Sequence, residues 1–499
     1  MNFFLAASLV PFAAFLLLLL AMKARLVHAA FVAWTTMAVV ALVLWRVPWT
    51  IAGAASIKGI AVAMDIFFII IGAVFFLDVL EKHRIIEHIS FRLERISRDY
   101  RVRMILLAWF LENFIEGTAG FGTPTAIVAP LLVGMGFPAL DAVALSLLGN
   151  SASVVFGAAG APIRVGFSGL AGNSVPFLAS LVNIPGMLVP VFMLWFATKE
   201  KPDASKSFFE ALPFALASGI AYIVSSMLFI GIGQEFPSIL GSVLGLVLML
   251  VCVRFGWFMP SRVRMLRPGE EPDSHMSVAA MVAPYASLVG LLILGKALLG
   301  SVTLSLPLGV AHTFNLFNPG FAFLATGFGV AYFWRARTKL LLPFAVRDAV
   351  AKTAEPFFVI ACMSGVTQLM IMSGSNASGL PSILATIGSV FENRFIGFWA
   401  PFLGMFGSFV TGSATIANIM FGSVVAYVAS HLSMSVDLGL ALLVVGGAAG
   451  NMVALADMLT AETVVGLRHQ EVAILRRVLI PCLMYVGLVG LIGIVFMHP

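Results

Sequence analysis

Apolar runs about 20 residues long, enough for a helix to cross a hydrocarbon core ~30 Å thick, recur from one end of this chain to the other. The outermost examples are "FFLAASLVPFAAFLLLLLAM" from Phe3 and "LIPCLMYVGLVGLIGIVFM" from Leu479. In lipid every backbone N–H and C=O must be satisfied internally, so only helices and closed barrels can span. Runs of this length select helices. Of 499 residues, 61% are hydrophobic and only 10% are charged, whereas a soluble chain carries about 25% charged residues. The first run lacks a basic segment before it and an A-x-A-like site after it, so a retained span is expected rather than a signal peptide.

A net charge of +6 and a pI near 9.4 would suit a nucleic-acid binder until the charges are located. Of the 29 lysines and arginines, 24 fall in six places. These are Lys23 with Arg25, the block 82–103, the loop 199–206, the segments 254–267 and 335–352, and Arg468 with Arg476 and Arg477. Concentration in alternate loops is the positive-inside pattern of a polytopic membrane protein. The basic balance thus marks a cytoplasmic face, and the partner it implies is the bilayer, not nucleic acid. Cys252, Cys362 and Cys482 stand in apolar runs without metal-ligand spacing, which indicates neither a disulfide framework nor a zinc site. No H-E-x-x-H pattern and no P-loop is present, so no cofactor, ATP hydrolysis or enzyme activity is expected.

Placing the basic clusters inside orders the spans. Residues 3–22 run inward, about 27–47 outward and about 57–80 inward. The block 81–103 reads as an interfacial helix. Spans at about 208–232 with 238–256, and 277–299 with 319–334, start and end inside, the last pair joined by a long outer loop at 300–318. Between 104 and 197 lie four apolar pieces, about 104–118, 123–136, 138–160 and 175–197. The first two are too short to span, since 14 helical residues cover about 21 Å. Parity holds if they form a re-entrant hairpin from the inside. A span at 353–373 then leads outside, 395–411 and 415–430 form a second hairpin from the outside, and 438–457 returns. The expected fold is an all-α polytopic membrane protein: a single domain over 1–499, about 11–12 transmembrane helices, two re-entrant helical hairpins in inverted repeats, and both termini outside. The repeat cores are placed at about 104–197 and 353–460.

The two hairpins also resemble each other. "EGTAGFGTPTA" can be laid on "SFVTGSATIAN" with Gly120 over Gly412, and each is followed by an Asp, Asp141 or Asp437, that opens a span. Those spans break at "GNSASVVFGAAGAP" from Gly149 and "GGAAGNMVALAD" from Gly446. Paired interrupted segments in opposite halves point to a transporter's binding site.

At the first tip, Thr123 is expected as N-cap with Pro124 at the first helical position, and Gly120 and Gly122 let the chain turn. The helix would aim its free N–H groups at an anion, a carboxylate above all. Ser413 or Thr415 is expected to do the same at the second tip. Candidate substrate contacts are Gly120, Gly122, Thr123, Thr125, Asn150, Ser151, Thr411, Gly412, Ser413, Thr415, Asn418 and Asn451. For Gly134, Gly136 and Gly157 close helix packing is the simpler reading. Glu116 is costly when ionised within a membrane and therefore suits proton carriage. Glu112 and Asp65 are the next candidates, Glu112 having the alternative of an interfacial position. Asp78 and Glu81 read as interfacial. Arg164 is a possible substrate contact with solvation as its bland alternative, and Arg46, Lys58, Lys296 and Arg394 are expected to snorkel.

At "FIEGTAGFGTPTAIVAPLLVGMGFP" and "GNSASVVFGAAGAPI" the chain resembles the L-lactate permease family. The resemblance covers about 104–165 and 395–460 and implies a bacterial inner-membrane symporter that takes up lactate, and often glycolate, with protons. It carries Glu116, Gly117, Gly120, Phe121, Gly122, Pro124 and Ala126 in the first motif, and Thr411, Gly412, Ser413 and Asn418 in the second. The chain departs from the family pattern at Ala414, where an Asp is common. It departs again at Asn451, where a Lys is common, and at Ala454-Leu455-Ala456, which replaces Ser-Pro-Gln. An acid and a base are lost together, which bears on substrate identity. The expected function is a proton-driven symporter of small monocarboxylates, its partners being the carboxylate, protons and lipid. Sodium coupling to another small organic anion is the rival, because unwound carbonyls and hydroxyls also hold that ion. An intramembrane enzyme would need a catalytic cluster that the chain does not display.

Overall fold

The computed structural model describes residues 2–497, apart from 23, 121, 201–202, 266–275, 301, 308–310, 334–341 and 394. Phe121 of the first motif, Lys23, Arg394 and parts of three basic segments therefore lie outside the described residues. Among the described residues, ten helices are long and apolar enough to cross a membrane, and an eleventh arises if Ala139–Gly149 and Ala152–Arg164, bent by 42°, form one span. The longest is Trp49–Lys82, and it packs along Leu342–Met372 and Pro319–Phe333. Among the described residues the chain is an all-α membrane protein with one small exception. In the 300–318 loop, alternating sequence forms an antiparallel ribbon, Thr303–Pro307 with Ala311–Asn315, in which Thr303 faces Asn315.

The first hairpin starts earlier than its apolar content suggested. Asp99 caps a helix at Tyr100–Ile105 by accepting from the Arg101 N–H at 2.9 Å. Arg101 is wholly buried, ion-paired to Asp99 at 2.7 Å and reaching Glu210 at 3.4 Å. Residues 100–103 thus belong to the hairpin, and only Ile85–Glu94 of the 81–103 block is a separate helix. A wide π-helical turn, Leu106–Leu111, leads into Glu112–Thr118, and the chain returns as Thr123–Gly134. The second hairpin consists of Ile396–Thr411 and Ala414–His431, the latter longer than expected and one of the ten helices long and apolar enough to cross. A short helix at Ile383–Phe391, capped by Ser382, precedes it and was not anticipated, being too short for a span.

Both predicted breaks are present. Ala139–Gly149 stops at Asn150, and Val436–Gly450 gives way to a tight turn at Asn451–Val453 before Leu455–Val464. The second hairpin lies against the second broken helix without room for side chains. A Cβ on Gly450 would come 2.6 Å from the Met405 Cα. The packing reading fails for Gly134, which has open space around it, and for Gly136, whose φ of 95° closes a turn.

Candidate functional site

The first tip turns through Gly120 and Gly122, with φ of 61° and 74°, a region closed to most L-residues by their Cβ. Each glycine also faces a carboxylate. A Cβ on Gly120 would sit 3.3 Å from Glu116 Oε1, and one on Gly122 only 2.5 Å from Asp457 Oδ1. Gly157 is likewise bare because Glu116 Oε1 occupies that space, so it packs as expected against a neighbouring helix, Glu112–Thr118, at the point where that helix carries a carboxylate. The cap at this tip is shifted by one residue from expectation. Gly122 holds the N-cap position, and Thr123 is the first helical residue, its hydroxyl donating to the Gly120 carbonyl at 2.6 Å. That bond closes the turn and takes the hydroxyl's proton.

The second tip follows its sequence reading. Gly412 ends the incoming helix at φ 70°, and the Ser413 hydroxyl caps the next by accepting from the Ile416 N–H at 3.4 Å. A Cβ on Gly412 would meet the Ala456 Cβ at 2.7 Å. The two tips therefore rest on adjacent residues, Asp457 and Ala456, just beyond the break at Asn451. Asn451 turns its amide onto the Asp457 Oδ2 at 2.9 Å.

Glu116, Gly120, Gly412, Ser413, Thr415 and Asn451 line one small cavity. At about 20 Å³ it holds a single water-sized molecule, so in this conformation the tips are closed on each other. Around it lie buried polar atoms without a well-formed hydrogen bond among the described residues, although Asn150 faces Glu116 and Thr125 faces Glu112. They include Glu116 Oε2, Glu112 Oε2, Thr125 Oγ1 and both amide atoms of Asn150. An orphaned buried polar atom costs about 1–3 kcal/mol, so a cluster of them marks a place where a ligand, water or proton completes the structure.

Not every candidate is free for such a role. Ser151 donates to the Leu148 carbonyl at 2.8 Å and Thr411 to Gly407 at 2.7 Å. Asn418 is buried with its amide nitrogen on the Pro162 carbonyl at 2.9 Å. Glu112 is wholly buried rather than interfacial, and it accepts from Ser146 at 2.5 Å. Asp65 lines a different, larger cavity of about 510 Å³. That cavity's wall also contains Arg164, which pairs with Glu235 at 3.3 Å, and Lys296, which reaches Glu235 at 2.6 Å. Asp78 is buried and held by Lys82 at 2.5 Å. Between the two cavities the backbone is strained: Ala158 and Ala159 have φ of 43° and 52°, at about 1–2 kcal/mol each.

Asp457 was missed by sequence reasoning although it closes the "GGAAGNMVALAD" run. The available signal was an acid at the end of a Gly/Ala break in an apolar span, which marks a functional position by default.

The sequence model described as L-lactate permease matches residues 4–298 and 291–498. A relative in Haemophilus influenzae is 29% identical, with 82% of each chain covered. The L-lactate permease of Salmonella typhimurium is 28% identical over 91% of this chain and 88% of its own. The glycolate permease GlcA of Escherichia coli is 26% identical over 90% of this chain and 84% of its own. Among solved structures, the YdaH transporter of Alcanivorax borkumensis aligns over 90% of this chain and 88% of that one at 15% identity and a TM-score of 0.42, too distant to inform the site.

Proposed function

Because the chain belongs to the L-lactate permease family, we propose that it is a secondary transporter of small monocarboxylates, lactate and glycolate foremost, driven by the proton gradient across the bacterial inner membrane. The observation that carries this reading is the meeting of two hairpin tips on Ala456 and Asp457 around a closed cavity lined by Glu116. A transporter must present its site to one side at a time, and two broken helices facing each other can part in either direction. Relatives named as lactate and glycolate permeases support the substrate class.

The roles follow from the chemistry available. The start of Ala414–His431, with Ser413 and Thr415 on the cavity, offers backbone and hydroxyl donors to a carboxylate. Gly120, Gly122, Thr125, Asn150 and Asn451 complete the surround, while Thr123, Ser151 and Thr411 hold the tip and break geometry. Glu116, wholly in protein and with one oxygen lacking a well-formed hydrogen bond, takes the coupled proton, with Glu112 beside it as a second acceptor. The two hairpin regions are read as inverted-repeat cores, about 104–197 and 353–460, of one domain with both termini outside. The missing family acid and base at Ala414 and Asn451 have a local counterpart, since Asn451 now pairs with Asp457.

One proton per monocarboxylate is electroneutral. A gradient of one pH unit is then worth about 1.4 kcal/mol, or roughly tenfold accumulation. The test is uptake of labelled L-lactate and glycolate into proteoliposomes under a pH gradient, a sodium gradient or neither. Saturable uptake that follows the pH gradient and ignores voltage is expected. No saturable uptake under any gradient would refute transport, and dependence on sodium alone would refute proton coupling.

A further inference from the structure

The large cavity contains a cation whose own partner is mostly committed elsewhere. Glu235, 3% exposed, receives Lys296 at 2.6 Å but Arg164 only at 3.3 Å. Arg164 also donates to the Phe317 carbonyl, and its guanidinium lies 5.5 Å from the Phe317 ring. These two bonds use two of the five N–H donors in a guanidinium fork. The fork's best partner is a carboxylate held by two parallel bonds; Glu235 gives a single 3.3 Å contact, and Asp65 on the same wall adds a second carboxylate whose charge Arg164 feels.

Arg164 is largely buried, its side chain 15% exposed, and it lines the cavity together with Lys296, Asp65, Asn173, Gln234 and Asn315. At about 510 Å³ the space falls within the usual size of small-ligand sites. With Asp65 on the wall and Glu235 behind it, the formal charges balance, so capture rests on the geometry of the fork and not on a bulk field. An incoming carboxylate displaces the long Glu235 contact, and Glu235 remains neutralised by Lys296. Amide groups of Asn173 and Gln234 on the same wall suit a hydroxyl. Arg164 also ends the segment Gly157–Arg164, whose Ala158 and Pro162 line the small cavity between the tips. The two spaces share this wall.

We infer that Arg164 binds the carboxylate of a small hydroxycarboxylate in this outer cavity, forming a vestibule site that substrate occupies before it reaches the hairpin tips. The ligand class rests on the transport reading above; the site rests on the Arg164–Glu235–Lys296 geometry.

Two measurements on the full chain test it. In nanodiscs, phenylglyoxal modification of Arg164 is followed by peptide mass spectrometry with L-lactate, glycolate, or chloride at equal ionic strength. The two carboxylates should slow modification at least fivefold, and chloride should not. In proteoliposomes, Arg164→Gln should raise KM at least tenfold with Vmax within twofold, Arg164→Lys should recover only part of the loss, and Glu235→Gln should lower KM. If Arg164→Gln does not fold, the protection experiment on the unmutated chain decides. Saturable uptake by the unmutated chain without protection of Arg164 overturns the site and leaves transport standing. Protection without uptake of any carboxylate supports the site and defeats the transport reading. A fall in Vmax at unchanged KM in both Arg164 variants assigns the residue a structural role and overturns the proposal.

Discussion

Asp457 lies directly against Gly122: a Cβ there would come 2.5 Å from the Asp457 Oδ1. Two residues far apart in the chain thus hold the first hairpin tip to the second broken helix. A methyl group at Gly122 meets both this carboxylate and a φ of 74°. Gly122→Ala should lower the melting temperature by several degrees, in keeping with about 1–2 kcal/mol of left-handed strain, and abolish uptake. Thermal unfolding in detergent and proteoliposome uptake measure the two effects. Unchanged values in both would mean that the tip does not turn this way.

Removing the Asp457 carboxylate separates its structural and functional parts. In Asp457→Ala the Asn451 amide loses its 2.9 Å acceptor, a loss of about 1–3 kcal/mol for a buried donor. Asp457→Asn retains an acceptor oxygen and should melt within about 2 °C of the unmutated protein. Equal destabilisation by the two substitutions would contradict the pairing.

Thr123 and Thr415 should behave oppositely, although both are threonines at hairpin tips. Thr123 donates to Gly120 at 2.6 Å, so Thr123→Val removes one turn-closing bond, about 0.5–1.5 kcal/mol, and should lower stability. Thr415 lines the tip cavity, so Thr415→Val should raise KM severalfold with little change in melting temperature. Paired melting curves and uptake kinetics check the contrast, and a reversal of the two phenotypes would count against the assigned roles.

Glu116→Gln mimics the protonated acid in nearly the same volume. Uphill accumulation on a pH gradient should vanish while exchange of internal for external substrate continues in part. Retained accumulation would move the proton to Glu112 or Asp457, both buried nearby.

Much of the hairpin architecture was legible in the sequence because its causes are local. The 14-residue limit on a short apolar piece, the left-handed turns at Gly120 and Gly122, and the Ser413 cap depend only on residues a few places away. The breaks at Asn150 and Asn451 were legible for the same reason, since Gly/Ala/Asn clusters weaken helix propagation wherever they fall. Helix ends were less secure. Asp99 extends the first hairpin back through a buried Arg101 because Glu210, from another helix, shares its charge, and no local pattern announces that partner. The same holds for the cap at Gly122: the Thr123 hydroxyl had two local choices, and its bond to Gly120 belongs to a tip already held by Asp457.

What the sequence determined by itself was which stretches form apolar helices and where those helices break or turn, because run length, glycine φ and proline's missing N–H are properties of neighbouring residues. What only the tertiary structure decided was which interruptions meet. The contact of Gly122 with Asp457 and of Gly412 with Ala456, and the sharing of Glu235 by Arg164 and Lys296, arise from packing between distant segments. Side-chain periodicity carries no record of such distances, so these contacts enter only when the helices come together.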